Sequence, residues 1–406
     1  MSMNTIADYF DKRDVNGLHD LLQIVFLQSS RNPKAEEVRH PVHDSIVSRG
    51  MIGTSAGFAT LFKLQHDLEQ AEHLAKLLER RHGKKDERTN LFRSIVAPTY
   101  KSILKRLPSL DELNETNGLY PFMPPDKKMN IHLYHNKALY ITNAGEEKLV
   151  DKKTQKAVPI INPTIQKEWT EERQKDYASK SHDGPPRLIV IDNLLTQQAL
   201  EAMQSILYES TVWFHVQAPF EVGGCLTAYL DDGLHDKLLL QLALDLHDML
   251  PDLFDDRSLV SLRARKYADD YTEEKHRPIS EFANAAADAA PEVNLEQAIV
   301  VTIWLTPNEG NQDPETGGAI LTDRTIERSV TIPYQVNRAL IFDAVLDYQN
   351  DQFYFRPEYT NRRMEVTFLF ARRSGEKPMN DREKVANSSL PDQGQFEMGS
   401  STTDEL

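Results

Sequence analysis

Histidine pairs at a spacing of three residues are the first side chains of this sequence that could do chemistry. His40 and His43 form one pair, and His132 and His135 form the other. Two such imidazoles can bind one metal ion, but a structural zinc site needs further cysteine or histidine ligands. Neither pair has a cysteine or another paired histidine beside it. We therefore interpret both pairs as coincidental.

The only cysteine, Cys225, follows two glycines. A nucleophilic thiol needs a neighbouring base, and none is obvious in the sequence, so we predict a small buried residue. A single cysteine excludes an intrachain disulfide and favours a reducing compartment, so we expect a cytoplasmic protein. The N-terminal residues lack a signal-peptide pattern, and no uncharged apolar run reaches about 18 residues. We expect no membrane span.

The charge balance is acidic. The 406 residues include 62 acidic against 47 basic side chains, for a formal net charge of −15. Such a surface repels phosphates at long range, so we do not expect nucleic-acid binding. One local basic cluster, formed by Arg80, Arg81, Lys84 and Lys85, is interpreted as a solvated helix end.

The first 120 residues are predicted to form a helical domain that offers a surface to a protein partner. The clearest stripe of apolar and small residues at helical spacing comprises Leu61, Leu64, Leu68, Ala71, Ala75 and Leu78. Such a stripe packs against another helix. Residues 121–185 are predicted to be an irregular connecting region with a short strand pair within 131–142. The glycine and prolines of residues 184–186 indicate a boundary.

Short apolar runs separated by turns dominate residues 186–373, with two helices among them. We predict strands near 188–191, 299–305, 319–321, 329–332, 338–342 and 364–370, and helices near 196–207 and 235–250. Helices first and short strands afterwards indicate an α+β chain whose strands form a β sandwich or barrel with helical support. Residues 374–406 are predicted to be a disordered acidic tail, because they contain little to bury.

Several phrases in this strand series resemble one known family. They are IVIDNLL at 189–195, IWLTP at 303–307, NQDPETGG at 311–318, IPY at 332–334, NRALIFD at 337–343, FRP at 355–357 and NRR at 361–363. Together they resemble the Fe(II)/2-oxoglutarate-dependent dioxygenases, in the prolyl-hydroxylase-like branch. The resemblance implies a double-stranded β-helix, or jelly roll, over about 186–373. It also implies iron bound by two histidines and a carboxylate.

The family pattern places its distal histidine about ten residues before a basic residue, which here is Arg363. That position falls on Phe353 or Tyr354. Phenylalanine has no ligand atom, and the phenol of tyrosine must lose a proton near pKa ~10 before it binds a metal. The last histidine of the sequence is His276. The full set of iron ligands is therefore not retained.

The proximal ligand pair is present only in part. His276 stands nine residues after Tyr267, a relation that the family pattern implies for the first histidine. The carboxylate due two residues later falls on Pro278, which cannot bind a metal. Glu274 and Glu281 lie close enough in sequence to be considered as substitutes. We keep His276 and Glu281 as candidate metal ligands, with a surface histidine in a polar loop as the alternative.

The co-substrate position is better retained. The resemblance implies that Arg363 and Thr367, which point to one face of a strand, bind the carboxylate of 2-oxoglutarate. Glu365 lies between them on the same face. A glutamate there offers the alternative that it pairs with Arg363 and closes the pocket.

Three hypotheses follow from the sequence. The first is a degenerate oxygenase that keeps its jelly roll for binding and not for oxidation, with the N-terminal helices as its partner surface and without a tight iron site. The second is an active 2-oxoglutarate-dependent hydroxylase of a protein or small-molecule substrate, with Fe(II) held by an unusual ligand set. The third is a structural scaffold without a ligand. Metal content separates the first two hypotheses.

Overall fold

The computed structural model describes residues 3–29, 31–33, 56–106, 134–145, 149–150, 157–168, 188–217, 224–254, 256–267, 270–271 and 293–373. The α-helices are α1 (Met3–Asp11), α2 (Val15–Gln28), α3 (Ala56–His82), α4 (Glu87–Asn90), α5 (Ala97–Leu104), α6 (Pro163–Glu168), α7 (Gln197–Glu209), α8 (Lys237–Met249) and α9 (Pro251–Phe254). A π-helical turn, Leu91–Val96, joins α4 to α5. No helix in these ranges is long and apolar enough to cross a membrane.

The strands form three antiparallel sheets. They are β1 (Leu188–Ile191), β2 (His215–Gln217), β3 (Cys225–Tyr229), β4 (Ser258–Tyr267), β5 (Asp270–Tyr271), β6 (Val293–Trp304), β7 (Ala319–Asp323), β8 (Arg328–Ile332), β9 (Ala339–Asp343), β10 (Asp347–Asn350), β11 (Phe353–Tyr354) and β12 (Met364–Arg373). The large sheet has the order β1-β9-β6-β12-β4-β3-β2, and the small sheets are β10-β7-β8 and β11-β5. The described residues thus combine helices with antiparallel sheets, as predicted.

One face of the large sheet packs against the small sheets. Their shared core contains Trp304, Leu321, Phe342, Tyr348 and Phe353. Trp304 is fully buried, as the sequence predicts, and its indole stacks on the ring of Tyr334 with centroids 5.3 Å apart. Side chains alternate between the faces of a strand, so every second residue of a central strand points into this inter-sheet space.

The other face of the large sheet is covered by helices. The predicted helices near 196–207 and 235–250 are α7 and α8, and their first turns are capped by the side chains of Thr196 and Asp236. The same core contains Ile6 and Phe10 of α1 and Leu22 of α2. The N-terminal helices α1 and α2 therefore share a hydrophobic core with the sheet, and burial of apolar surface holds them there.

The long helix α3 confirms the predicted stripe. Leu64, Ala71, Ala75 and Leu78 are buried and form a separate core with the π-helical turn and α5. The predicted strand pair within 131–142 is wrong for the described residues 134–142, which form a turn and an extended segment without a strand. The reason is that the backbone of Tyr140 and Thr142 hydrogen-bonds the side chains of Thr211 and Ser210 instead of a neighbouring strand.

Candidate functional site

A buried polar cluster lies at the start of β12, between the large sheet and the small ones. Arg363, Glu365 and Thr367 point to the inter-sheet side, whereas Met364 and Val366 belong to the core under the helices. β12 pairs with β4 on one side and with β6 on the other. Its position at the centre of the sheet explains why the three polar side chains are almost completely buried.

The guanidinium of Arg363 is surrounded by acceptors of the chain itself. Its Nε donates to the carbonyl oxygen of Gly317 at 3.0 Å, and Nη2 donates to that of Gly318 at 3.2 Å. Nη1 donates to Oδ1 of Asn350 at 2.7 Å. Nη2 also lies 3.2 Å from Oε2 of Glu365. The resemblance assigns the Arg363 guanidinium to a ligand carboxylate. In the structure this guanidinium instead faces the carboxylate of Glu365, two residues further along the chain.

Glu365 is held by four neighbours. Tyr267 donates its hydroxyl to Oε1 at 2.6 Å, and Tyr348 donates to Oε2 at 3.1 Å. Nη1 of Arg265, on the neighbouring strand β4, lies 3.8 Å from Oε1. Two phenols and two guanidinium groups therefore stabilise one buried carboxylate, the arrangement that a buried charge requires.

The pKa values of the pair follow from this arrangement. Burial alone would raise the pKa of Glu365, but the charges of Arg363 and Arg265 and the hydrogen bonds of the phenols hold it below its usual value. Burial would likewise lower the pKa of Arg363, but the charge of Glu365 and the neighbouring phenols raise it. Both groups stay ionised at neutral pH as a buried ion pair.

The hydroxyl of Thr367 forms a hydrogen bond with a residue of the neighbouring strand. Its Oγ1 lies 3.2 Å from Oγ1 of Thr302, the residue opposite it on β6. Both threonines are buried. The structure thus places Arg363 and Thr367 on one face, as the sequence predicts, with Glu365 between them. Their binding of a ligand carboxylate stays a prediction.

The two positions predicted for the distal histidine differ in their surroundings. Phe353 is fully buried, and its ring contacts those of Tyr267 and Phe355 edge-on, with centroid distances of 5.7 and 5.8 Å. Tyr354, the next residue of β11, is 40% exposed. The inward position therefore carries an apolar ring that fills the inter-sheet core.

The candidate metal ligands His276 and Glu281 lie outside the described residues, as do Glu274 and Pro278. The histidines at 40, 43 and 132 also lie outside them. His135 is described, and its ring contacts that of Tyr100 at 6.5 Å. Within the described ranges, no group of three or more His, Cys, Asp or Glu side chains is placed to hold a metal ion.

Sequence reasoning missed four contributors to the Arg363 cluster. Tyr348 and Asn350 come from β10, and the carbonyls of Gly317 and Gly318 come from the turn before β7. The two consecutive glycines, Gly317 and Gly318, could have indicated a turn whose backbone packs closely against other groups. Gly317 has a φ of +83°, and a Cβ on Gly318 would lie 1.8 Å from the carbonyl oxygen of Ile332. Only glycines allow this turn to present both carbonyls to the arginine.

A second buried polar cluster lies on the helical side of the sheet, around Lys266 of β4. Nζ donates to the hydroxyl of Tyr359 at 2.9 Å and lies 3.5 Å from Nε2 of His66 on α3. The ring of Trp213 lies 4.5 Å from the same nitrogen. Burial, together with the charge of Arg362, lowers the pKa of Lys266 well below its usual value.

Comparison with solved structures finds iron- and 2-oxoglutarate-dependent oxygenases. A prolyl hydroxylase from Trichoplax adhaerens, in complex with a hypoxia inducible factor peptide fragment, is 15% identical, with a TM-score of 0.32 over 59% of this chain and 100% of that chain. A 2OG-Fe(II) oxygenase from Burkholderia pseudomallei is 8% identical, with a TM-score of 0.32 over 50% of this chain and 92% of that chain. This chain resembles the 2-oxoglutarate/Fe(II) oxygenases.

A prolyl-4-hydroxylase from Pseudomonas putida gives a similar result, with 11% identity and a TM-score of 0.30 over 50% of this chain and 97% of that chain. No known family profile matches the sequence, and no curated protein matches it. TM-scores near 0.3 do not superpose individual side chains, so these likenesses assign no role to any residue.

Proposed function

We propose that this chain is a degenerate 2-oxoglutarate/Fe(II) dioxygenase-like protein that acts by binding a partner and not by oxidation. In this proposal the three antiparallel sheets form a double-stranded β-helix. The observation that carries the proposal is the buried ion pair between Arg363 and Glu365. It supports the interpretation that the chain supplies its own carboxylate to the arginine that the family resemblance assigns to the co-substrate.

A ligand carboxylate would have to displace Glu365 from Arg363. Glu365 would then lose its nearest cation while it stayed buried against the hydroxyls of Tyr267 and Tyr348. Breaking a buried ion pair costs about 3–5 kcal/mol. Each 1.4 kcal/mol is tenfold in affinity, so the pair would weaken 2-oxoglutarate binding by roughly 100-fold or more.

The iron position supports the same proposal. The inward residue of β11, Phe353, has no metal-binding atom and packs among aromatic rings. The described residues therefore do not fit the usual pair of imidazoles, and we expect no oxidative step. Iron held by His276, Glu281 and water would lack a second imidazole, and we expect it to exchange readily.

The partner surface in this proposal is the N-terminal helical region. Helix α3, the π-helical turn and α5 form a hydrophobic core of their own. Arg81 of α3 donates two hydrogen bonds to the carboxylate of Glu209 on α7, at 2.6 and 2.9 Å, which ties this helical group to the rest of the protein. The outer faces of α3 and α5 stay exposed to solvent and could contact another protein.

An anaerobic titration of the full chain with Fe(II) and 2-oxoglutarate tests the proposal. We expect no stoichiometric iron and no absorbance band of an iron–2-oxoglutarate chelate. Glu309→Gln, on an exposed residue, is the matched control for Glu365→Gln, which should strengthen 2-oxoglutarate binding if Glu365 is the competitor. Stoichiometric iron with the chelate band in the wild-type chain would overturn the proposal. Loss of that band in His276→Ala or Glu281→Ala would then identify the unusual ligand set.

A further inference from the structure

A concentrated basic surface lies on the helical region of this otherwise acidic chain. Residues 76–106 contain ten Lys and Arg against three Asp and Glu, a net charge of +7, whereas the whole chain carries −15. All 31 of these residues are described, and the ten basic side chains are exposed. The basic surface, at the C-terminal end of α3 and just beyond it, comprises Arg80, Lys84, Lys85, Arg88 and Arg93.

Ion pairs bring two members of the basic surface, Lys84 and Arg93, to the same carboxylate. Oε1 of Glu79 lies 3.5 Å from Nζ of Lys84, and its Oε2 lies 3.4 Å from Nη1 of Arg93. One carboxylate therefore sits between two cations that are nine residues apart. The side chain of Lys84 is 71% exposed, and those of Arg88 and Arg93 are 49% and 50% exposed. These charges remain accessible to a partner.

Helix stability does not account for this excess of positive charge. The C-terminal end of a helix favours cations in its last turn, which explains Arg80 and Arg81 of α3. Helix α3 ends at His82, and Lys85, Arg88 and Arg93 follow after that end. Arg88 lies in the single turn of α4, and its guanidinium pairs with the carboxylate of Asp86 at 3.2 Å. The end of α3 therefore explains only part of the positive charge, and Lys85 follows it without a helix-end role.

The burial of aromatic and apolar side chains near the basic surface favours an acidic protein segment over single-stranded nucleic acid or a membrane as its partner. Phe92 and Tyr100 are buried, and none of the large hydrophobic side chains of residues 76–106 is exposed. Binding to single-stranded nucleic acid relies on exposed aromatic rings for stacking, and binding of a helix to a membrane relies on apolar side chains that insert. Binding to the carboxylates of an acidic protein segment requires neither exposed aromatic rings nor inserting apolar side chains.

We infer that the basic surface binds an acidic protein segment. An extended stretch rich in Asp and Glu would place its carboxylates opposite Lys84, Lys85, Arg88 and Arg93, with arginines able to grip them in pairs of hydrogen bonds. The contact is exposed, so it depends on salt and forms rapidly. This inference rests on the proposed binding role and gives that role its partner class.

The test uses the full chain and a fluorescently labelled 12-residue peptide of glutamates, measured by anisotropy at low salt. We expect saturable binding that weakens as salt is raised. The charge-reversal variant Lys84→Glu/Lys85→Glu/Arg88→Glu should bind at least about tenfold more weakly. The matched control Lys12→Glu/Lys167→Glu/Arg328→Glu changes three exposed basic residues elsewhere by the same charge, and it should bind as the wild type does.

Two further probes complete the test, namely an unlabelled 12-nucleotide single strand and vesicles with anionic lipid, used as competitors at equal charge. Failure of the peptide to bind, equal weakening in both variants, or stronger competition by the oligonucleotide or vesicles would overturn the inference. Circular dichroism of each variant checks that it is folded. The iron titration does not depend on this surface, so failure of this inference and failure of the proposed function are distinguishable.

Discussion

The buried carboxylate at position 365 makes the sharpest prediction. Glu365→Gln keeps the size of the side chain but removes its charge. The guanidinium groups of Arg363 and Arg265, 3.2 and 3.8 Å from its oxygens, would then stay buried without their shared anion. Removing one member of a buried ion pair costs about 3–5 kcal/mol.

The lower end of that range applies, because Arg363 keeps its hydrogen bonds to Gly317, Gly318 and Asn350. We therefore expect a loss of about 3 kcal/mol in the free energy of unfolding, against a total of about 5–15 kcal/mol for a typical domain. Urea denaturation at neutral pH measures it as a lower midpoint with an unchanged slope. A loss below about 1 kcal/mol would refute the reasoning, because the arginines would then be stabilised by other groups or by water. The exposed Glu309→Gln should leave the midpoint unchanged.

Three other predictions address the fold. Trp304→Ala should cost about 3–5 kcal/mol in urea denaturation, and a loss below about 1 kcal/mol would mean that β6 is not a core strand. Burial lowers the pKa of His66 from 6.5 to about 3, so the folded state binds fewer protons and stability falls as pH drops below 6.5. At pH 5 the loss is roughly 2 kcal/mol and should disappear in His66→Gln but not in the exposed His82→Gln; equal acid profiles for the two variants would contradict this. Proteolysis at the proposed boundary, residues 184–186, should leave two pieces that co-elute, since α1 and α2 share the core of the sheet; separation without denaturant would contradict that.

Apolar periodicity predicted much of the fold. The runs at 188–191, 299–305 and 364–370 became β1, β6 and β12, and the stripe at 58–82 became α3. Burial on both faces explains why residues 299–305, at the end of β6, read as a nearly continuous apolar segment, since all seven are buried.

Strand β4 was missed for a physical reason. Its segment carries Arg263, Arg265 and Lys266, charges that sequence patterns assign to the surface. In the structure all three are buried, and the charge of Arg265 faces Glu365 while Lys266 contacts Tyr359. The polar partners that stabilise the buried charges of Lys266 and Arg265 lie 93 and 100 residues away in the sequence. A pattern of neighbouring residues therefore cannot reveal them.

The candidate site was predictable in part. Alternation along β12 correctly placed Arg363, Glu365 and Thr367 on one face, because side-chain direction in a strand depends only on parity. The contribution of Tyr348 was not predictable, since it arises from the packing of β10 over the large sheet and not from spacing within one segment.

Succinate formation tests the central claim most directly. The full chain is incubated in air with Fe(II), 2-oxoglutarate and ascorbate, and succinate is quantified against a heat-denatured sample. Because Glu365 supplies the carboxylate to Arg363, the account predicts no succinate above that background in the wild-type chain. Multiple turnovers of succinate per chain, abolished in His276→Ala and retained in the exposed His82→Ala, would contradict it and establish an active oxygenase.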